Sequence, residues 1–430
     1  MQSIVRVDLI IELSKKNFLR VLLFLSYKFY GGWEIVMKLK MIFFVVGTVL
    51  LALHAVNAMR LYQTLSYDHT RFVSSVCFSP NGKILATGSY DKTVKIWQLQ
   101  NDGEWVCVQT LDAEVDGHSD KIYSVCFSPD GQALATGSAD STVKIWHLGR
   151  DSTWACVQKL NAEVGGHRDY VNSICFSLDG KILATGSDDA TVKIWHLQND
   201  GEWVLVQTLN LEVRGHTKSV SSICFSSDDK ILATGSNDNT VKIWHLGYDG
   251  IWELVQALDE EVRGHTKSVN SICFSSDGKI LATGSNDNTV KIWHLGCDGT
   301  WELVQTLVDR QVDNCMEIKW VYSVSFSPDG NALATGSCDK KVNIWHLGGD
   351  GTWKLVQPLN ARAIGHADCV SSVSFSPDGN TLATGSYDMT IKIWIINEPM
   401  SKTKGAQTFE GCPKHEEDFE GNGCVDEVYE

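Results

Sequence analysis

The stretch Ser124-Val-Cys-Phe-Ser-Pro-Asp-Gly-Gln-Ala-Leu-Ala-Thr-Gly-Ser-Ala-Asp-Ser-Thr-Val-Lys-Ile-Trp146 recurs, lightly varied, seven times in this chain. It closes each time on a tryptophan: Trp97, Trp146, Trp195, Trp244, Trp293, Trp345 and Trp394. The spacing is 49 residues except between Trp293 and Trp345, where it is 52. Self-similarity at this scale excludes a single globular core and predicts a stacked or radial array.

Each unit carries short runs of period two, such as Val125-Cys126-Phe127, Leu134-Ala135-Thr136, Val143-Lys144-Ile145-Trp146 and Cys156-Val157-Gln158. These predict four strands per unit, with no room for a helix of useful length. Ser128 to Gly131 supplies one tight turn, proline pre-setting a dihedral and glycine taking a positive one, and Ala139-Asp140 marks a second. A four-stranded sheet that is apolar on both faces cannot bury them alone. Neighbouring units must therefore stack face to face, and closing seven of them into a ring leaves no exposed end.

Gly-His precedes Ser-x-Asp-x-Thr-Val-Lys-Ile-Trp at Gly117-His118, Gly166-His167, Gly215-His216, Gly264-His265 and, with minor changes, Gly365-His366. Residues 59 to 396 thereby resemble the WD-repeat β-propellers. The resemblance implies an all-β, seven-bladed propeller of four-stranded antiparallel blades. One departure is plain: the aspartate of the family's naming dipeptide is absent, since Trp is followed by His147, His196, His245, His294 and His346, and by Gln98 and Ile395 in the outer units.

The resemblance also implies a buried polar chain in each blade. In the unit ending at Trp146 it would link His118, Thr136 or Ser138, Asp140 and Trp146. The equivalent sets are His167, Asp189 and Trp195; His216, Asp238 and Trp244; His265, Asp287 and Trp293; His366, Asp388 and Trp394. Indole only donates, carboxylate only accepts and neutral imidazole does both, so such a chain can satisfy every member. A nucleophilic triad would be one exposed constellation, whereas these Ser, His and Asp residues recur blade after blade, so no catalytic residue is assigned. The sixth unit has lost its histidine: Val312 to Tyr322 replaces the Gly-His stretch and adds three residues. That loss is expected to leave Trp345 or Asp339 short of a bond, at a cost of about 1 to 3 kcal/mol if the group is buried. The first unit, at Asp68-His69, lacks only the glycine.

Six fourth strands lie between the repeats, at Trp105 to Leu111, Trp154 to Leu160, Trp203 to Leu209, Trp252 to Leu258, Trp301 to Leu307 and Trp353 to Leu359. None follows Trp394. Leu61 to Leu65 echoes Leu205 to Leu209, which predicts that the N-terminal strand completes the last blade and locks the ring, removing an open edge.

Because the repeats are nearly identical, the positions that vary are informative. The family's geometry places three of them around the central channel. Before the first apolar residue of the first strand stand Phe72, Lys121, Tyr170, Ser219, Ser268, Trp320 and Cys369. After it stand Ser74, Tyr123, Asn172, Ser221, Asn270, Tyr322 and Ser371. Before the turn aspartate stand Tyr90, Ala139, Asp188, Asn237, Asn286, Cys338 and Tyr387. The fourth and fifth units offer only Ser and Asn, while Trp320, Tyr322, Tyr387, Phe72, Tyr90, Tyr123 and Tyr170 form an arc across the others. Tyrosine and tryptophan join large apolar area to a polar tip and are enriched where partners contribute most binding energy. The arc, with Lys121 and Asp188, is the predicted site for a protein or peptide partner. The alternative is an enzyme or small-molecule binder that uses the channel, with Asp188, Lys121 and the tyrosines as its polar groups.

Outside the repeats, residues 37–58 run from Lys38 and Lys40 through an apolar stretch to Val56-Asn57-Ala58, the order of a secretory signal peptide. The apolar part, Met41 to Leu53, is short for a membrane span, which needs about 20 residues. Met37 then becomes the initiator and residues 1–36 an upstream extension. Their runs Leu9-Ile-Ile and Val21-Leu-Leu-Phe-Leu otherwise suggest a second membrane-seeking segment. The propeller is expected to be exported, or anchored with the propeller outside, and membrane contact to run only through this segment.

The 13 cysteines argue for the cytoplasmic alternative, since Cys77, Cys126, Cys175, Cys224 and Cys273 recur at one strand position as small hydrophobes rather than bridges. No metal spacing accompanies them, and no cofactor is expected. Residues 397–430 form an acidic tail expected to be disordered, in which Cys412 and Cys424 could pair after export. A net charge of -15 argues against nucleic acid as a partner. The propeller is expected to be monomeric.

Overall fold

The computed structural model describes residues 59–66, 68–308, 319–359 and 364–396, together with the backbone of two strands near the N-terminus. Residues 37–58, 309–318 and 397–430 lie outside the described residues, and with them the segment read as an export signal, most of the irregular stretch of the sixth unit and the tail cysteines. Within residues 1–36, Asp8–Leu13 and Leu19–Phe24 form an antiparallel pair with Leu13 opposite Leu19. This hairpin stands where the apolar runs suggested a membrane-seeking segment. No helix among the described residues is long and apolar enough to cross a membrane.

Residues from Met59 onward build seven four-stranded antiparallel sheets. In the first, Val73–Phe78, Ile84–Ser89, Val94–Leu99 and Trp105–Leu111 pair in chain order. The second strand of each blade is almost wholly buried because both its faces meet neighbouring blades, so it reads x-Leu-Ala-Thr-Gly-Ser, with Ile, Ala or Thr first, without polar alternation. The outermost strand has one face in solvent and alternates. The glycine of the second strand is a packing requirement. A Cβ at Gly88 would come within 2.6 Å of Ile122 Cγ2 in the next blade.

The core therefore lies between blades. Ala135, Val143 and Ile145 of the second blade pack with Val171, Ile174, Phe176 and Trp195 of the third. Two sets of polar ties run along the same seams. The backbone N–H of Val125 donates to Ser75 Oγ of the preceding blade at 3.2 Å, and the pattern continues round to Val76 N–H donating to Ser372 Oγ at 3.1 Å. On the outermost strand a glutamine clasps the next blade's backbone in both directions. Gln109 Nε2 donates to the Trp154 carbonyl at 2.8 Å, and Trp154 N–H donates back to Gln109 Oε1 at 2.8 Å.

The last sheet is completed by Arg60–Leu65, antiparallel to Ile391–Ile395, with Leu61 opposite Trp394 and Leu65 opposite Ile391. The closing strand also carries the glutamine clasp across the join: Gln63 Nε2 donates to the Trp105 carbonyl at 3.0 Å, and Met59 N–H donates to Gln357 Oε1 at 3.1 Å. The ring is thus closed by the same contacts that hold its interior seams.

Each regular blade contains the buried polar chain. In the second, Trp146 Nε1 donates to Thr136 Oγ1 at 2.9 Å, Thr136 Oγ1 lies 2.8 Å from His118 Nε2, and His118 Nδ1 lies 2.9 Å from Asp140 Oδ2. Thr136 fills the hydroxyl position; Ser138 instead donates to the Asp120 carbonyl at 3.1 Å. With the proton on Nδ1, the order indole, threonine, imidazole, carboxylate gives every donor one acceptor. His69–Asp91, His167–Asp189, His216–Asp238, His265–Asp287 and His366–Asp388 repeat the contact at 2.8, 3.0, 2.9, 2.8 and 2.9 Å, ahead of Trp97, Trp195, Trp244, Trp293 and Trp394.

Burial opposes ionisation of these aspartates, but bonds from the histidine, a threonine and a backbone N–H outweigh it and hold the carboxyls well below the usual carboxylate range. In the sixth blade the expected orphan does not arise. Trp345 Nε1 donates to Thr335 Oγ1 at 3.1 Å, and Asp339 accepts from Lys341 N–H at 3.1 Å with the Lys341 ammonium 3.7 Å away. The threonine satisfies the indole without the imidazole, and a lysine supplies the carboxylate's counter-charge.

Candidate functional site

Two of the varying positions are joined within each blade by a backbone bond. The N–H of the residue before the turn aspartate donates to the carbonyl of the residue before the first strand: Tyr90 to Phe72, Ala139 to Lys121, Asp188 to Tyr170, Asn237 to Ser219, Asn286 to Ser268, Cys338 to Trp320 and Tyr387 to Cys369, each 2.8 to 2.9 Å. Across a seam the side chain before one blade's aspartate meets the side chain before the next blade's first strand. Tyr387 stacks on Phe72 with centroids 4.6 Å apart and planes 10° from parallel. Lys121 Nζ sits 5.3 Å from the centre of the Tyr90 ring. Ser219 Oγ donates to Asp188 Oδ1. These alternating bonds and contacts make a collar around one end of the channel.

The third varying position lies next to this collar. Where it is Ser or Asn, it ties seams. Ser74 Oγ donates to the Ile122 carbonyl at 2.6 Å, and Asn270 Nδ2 to the Val321 carbonyl at 2.8 Å. Asn172, Ser221 and Ser371 reach the carbonyls of Val220, Val269 and Val73 in the same way. In the second and sixth blades the position is Tyr123 and Tyr322. At this position Ser or Asn therefore has a structural cause, and the two tyrosines depart from it.

The aromatic residues form one continuous run. Trp320 meets Tyr322 edge to face at 6.4 Å, Tyr322 meets Tyr387 at 5.9 Å, Tyr387 stacks on Phe72, Phe72 meets Tyr90 at 5.7 Å, Tyr90 meets Tyr123 at 5.4 Å and Tyr123 meets Tyr170 at 5.8 Å. Tyr170 ends the run and is exposed, while the others are half-buried. Burial raises the phenols of Tyr90, Tyr123, Tyr322 and Tyr387, and neighbouring phenols add to the rise at Tyr123 and Tyr387. They are neutral at physiological pH and present O–H donors beside apolar faces.

The two charged residues of the predicted site are already engaged. Asp188 accepts from Asn172 Nδ2 at 2.7 Å as well as from Ser219, and Lys121 lies on Tyr90. Sequence reasoning missed the pair Cys338 and Cys369, whose sulfurs stand 2.6 Å apart across the seam between the sixth and seventh blades. Each was noted at its position, but only the collar geometry shows that those positions meet. It also missed the outer glutamine clasp, although a glutamine at that place in every unit was a readable signal.

A closed ring of seven sheets with structural polar chains, and with its irregular side chains gathered at one end of the channel, defines a β-propeller that presents a surface. The family description "WD domain, G-beta repeat" matches residues 59–98, 105–147, 154–196, 203–245, 256–294, 316–346 and 357–394. The chain belongs to this family. Among curated proteins it is similar to pre-mRNA-processing factor 19 of Oryza sativa subsp. japonica, 44% identical over 43 residues, 10% of this chain and 8% of that protein. It is also similar to the general transcriptional corepressor TUP1 of Saccharomyces cerevisiae, 38% identical over 52 residues, 12% of this chain and 6% of that protein. A third is the probable cytosolic iron-sulfur protein assembly protein 1 of Malassezia globosa, 40% identical over 62 residues, 12% of this chain and 17% of that protein. The chain spans less than a fifth of the length of these relatives.

Proposed function

We propose that this propeller is a non-catalytic interaction scaffold that holds a protein or peptide partner on the aromatic arc. The observation that carries the reading is the unbroken run of rings from Trp320 to Tyr170, each within 6.4 Å of the next. A contiguous patch of half-buried aromatic faces with O–H tips suits a segment bearing apolar anchors and main-chain acceptors. Membership of a repeat family whose rings act as platforms supports the same class. The channel-enzyme alternative is weaker, because Asp188 and Lys121 are committed to neighbours and the Ser, His and Asp groups are held in repeated structural chains.

Export of the propeller, with membrane contact only through residues 37–58, is part of the proposal and rests on the order of charged, apolar and small residues there. N-terminal sequencing of the mature chain from its source cells is expected to begin at Met59. A start at Met1 or Met37 would overturn the cleavage reading. The surface itself is tested by a cross-linked pull-down that compares the wild type with a folded Trp320→Ala, Tyr387→Ala double variant. Partners should be captured by the wild type and lost by the variant; equal recovery would exclude the arc.

A further inference from the structure

Every seam for which a collar contact has been described brings two side chains together: aspartate with serine, tyrosine with lysine, tyrosine with phenylalanine. At the seam between the sixth and seventh blades the pair is Cys338 and Cys369, and the sulfurs lie 2.6 Å apart. Two sulfurs at this separation are closer than non-bonded contact and about half an ångström beyond a bond of about 2.05 Å. The approach is imposed by ring geometry, because the same two positions meet at other seams whatever residues fill them.

The surroundings connect the thiols to the arc. Cys338 N–H donates to the Trp320 carbonyl and Tyr387 N–H donates to the Cys369 carbonyl, both at 2.9 Å. This seam also carries Tyr322 where five blades place the Ser or Asn that bonds the next blade's carbonyl. The recurring cysteines also face one another across seams, Cys77 with Cys126 and Cys224 with Cys273, but each directs its thiol to the carbonyl of the following phenylalanine in its own strand, as Cys77 does to Phe78 at 3.5 Å and Cys273 to Phe274 at 3.4 Å.

We propose that Cys338 and Cys369 are a modification site, a dithiol that a small-molecule disulfide oxidises to an interblade disulfide stapling the sixth blade to the seventh beside Trp320, Tyr322 and Tyr387. Cys338 is the more exposed of the two and Cys369 is buried. The Cys338 thiolate attacks one sulfur of the small disulfide, giving a mixed disulfide and releasing one small thiol. The Cys369 thiolate, its proton lost to water, then attacks Cys338 Sγ and expels the second small thiol. The protein loses two electrons and two protons, and the small disulfide is reduced to two thiols. Contact between the two sulfurs makes the second step intramolecular, so it outcompetes return of the free thiol. In the reduced dithiol, burial and the neighbouring Cys338 thiol raise Cys369 to about 12; capping Cys338 in the first step removes that neighbour's share, and the thiolate fraction of Cys369, with it the second step, grows as pH rises.

The cross-link does not depend on the arc's being a binding surface; only its consequence for a partner rests on that reading. The test uses the reduced, folded full chain incubated with oxidised glutathione, blocked by alkylation, digested without reductant and mapped by mass spectrometry. The expected product is a peptide pair joined through Cys338 and Cys369 in most molecules, formed faster at higher pH and released by dithiothreitol. Exposed Cys297 is expected to carry a glutathione adduct and serves as an internal control. Cys338→Asn and Cys369→Ser install residues that this chain already uses at those positions, Asn286 and Ser268, and so preserve the fold. Each should abolish the joined peptide, and Cys369→Ser should trap glutathione on Cys338. A wild type in which Cys338 holds a persistent adduct, or in which both cysteines remain freely alkylated, would overturn the proposal. Loss of the cross-link is thereby read separately from any failure of the arc to bind.

Discussion

The fourth and fifth blades and the sector running from the sixth blade through the seventh to the first are built from one repeated sentence, yet they treat their seams differently. In the fourth and fifth, Ser221 and Asn270 reach the next blade's carbonyl, and each collar position carries a small polar side chain. In the other sector Tyr322 replaces the seam-tying residue, a dithiol occupies one seam, and a stacked Tyr387–Phe72 pair occupies the next. The closing strand also lies here. The regular blades show what the ring needs in order to stand. The irregular sector shows what is placed on top of that requirement, and such departures are expected at functional or strained sites.

The largest effect is expected at the closure. Deleting residues 1–66 removes the fourth strand of the seventh blade and the Gln63 clasp, leaving an open edge along Ile391–Ile395. Loss of cooperative unfolding and self-association on size exclusion are expected. Deleting only residues 1–58 should leave the unfolding curve of the propeller unchanged.

A second effect is acid sensitivity. The aspartates of the regular blades have folded pKa values below their unfolded ones, so their contribution is complete above the unfolded value of about 4 and is lost as pH falls toward the folded one. Burial, acting against the Asp388 contact, also lowers His366. Its contribution is present above about pH 6.5, the unfolded histidine value, and declines below it. Thermal midpoints measured from pH 7 downward should therefore fall first below about 6.5 and more steeply below about 4. A midpoint that rose on acidification would contradict the hydrogen-bonded chains.

Within the regular blades, His265→Leu should cost about 1.5 to 3 kcal/mol in denaturant unfolding, because it removes the imidazole's hydrogen bond to the Asp287 carboxylate, which keeps only its Thr266 and Thr289 donors. The sixth blade lacks the histidine from the start and carries its lysine instead, so this cost is specific to blades built around the imidazole. Replacing Phe72 and Tyr387 by Ser and Asn, the residues of the fourth blade, should lower stability by only about 1 kcal/mol beyond the lost burial. Partner affinity should drop at least about 30-fold, the effect of a 2 kcal/mol hot spot. The smallest effect is expected from Lys121→Met, which removes the cation over Tyr90 and should shift stability by about 0.5 to 1 kcal/mol.

Repeat number, blade boundaries and ring closure could be read from the chain because every unit must solve the same packing problem. A missing fourth strand after Trp394 had to be supplied by Leu61 to Leu65. The aromatic arc was legible as a set of positions, since near-identical repeats make each deviation visible. Contacts across a seam were not. Asp188 looked available until Ser219 and Asn172 were seen bonded to it, and Cys338 and Cys369 are 31 residues apart with nothing in the linear pattern to join them. The sixth blade shows the limit of reasoning from a missing residue: Thr335 satisfies Trp345 by itself, because the indole's bond is to the threonine and the imidazole is one step further along.

The central claim is that partners meet the molecule at the arc. It is tested most directly by placing a photo-cross-linking residue at Tyr387 in one variant and at Asn237, the same structural position in the fourth blade, in another, and irradiating both in the source cells. A discrete adduct is expected from Tyr387 and none from Asn237. Adducts of equal yield from both, or from Asn237 alone, would contradict the claim.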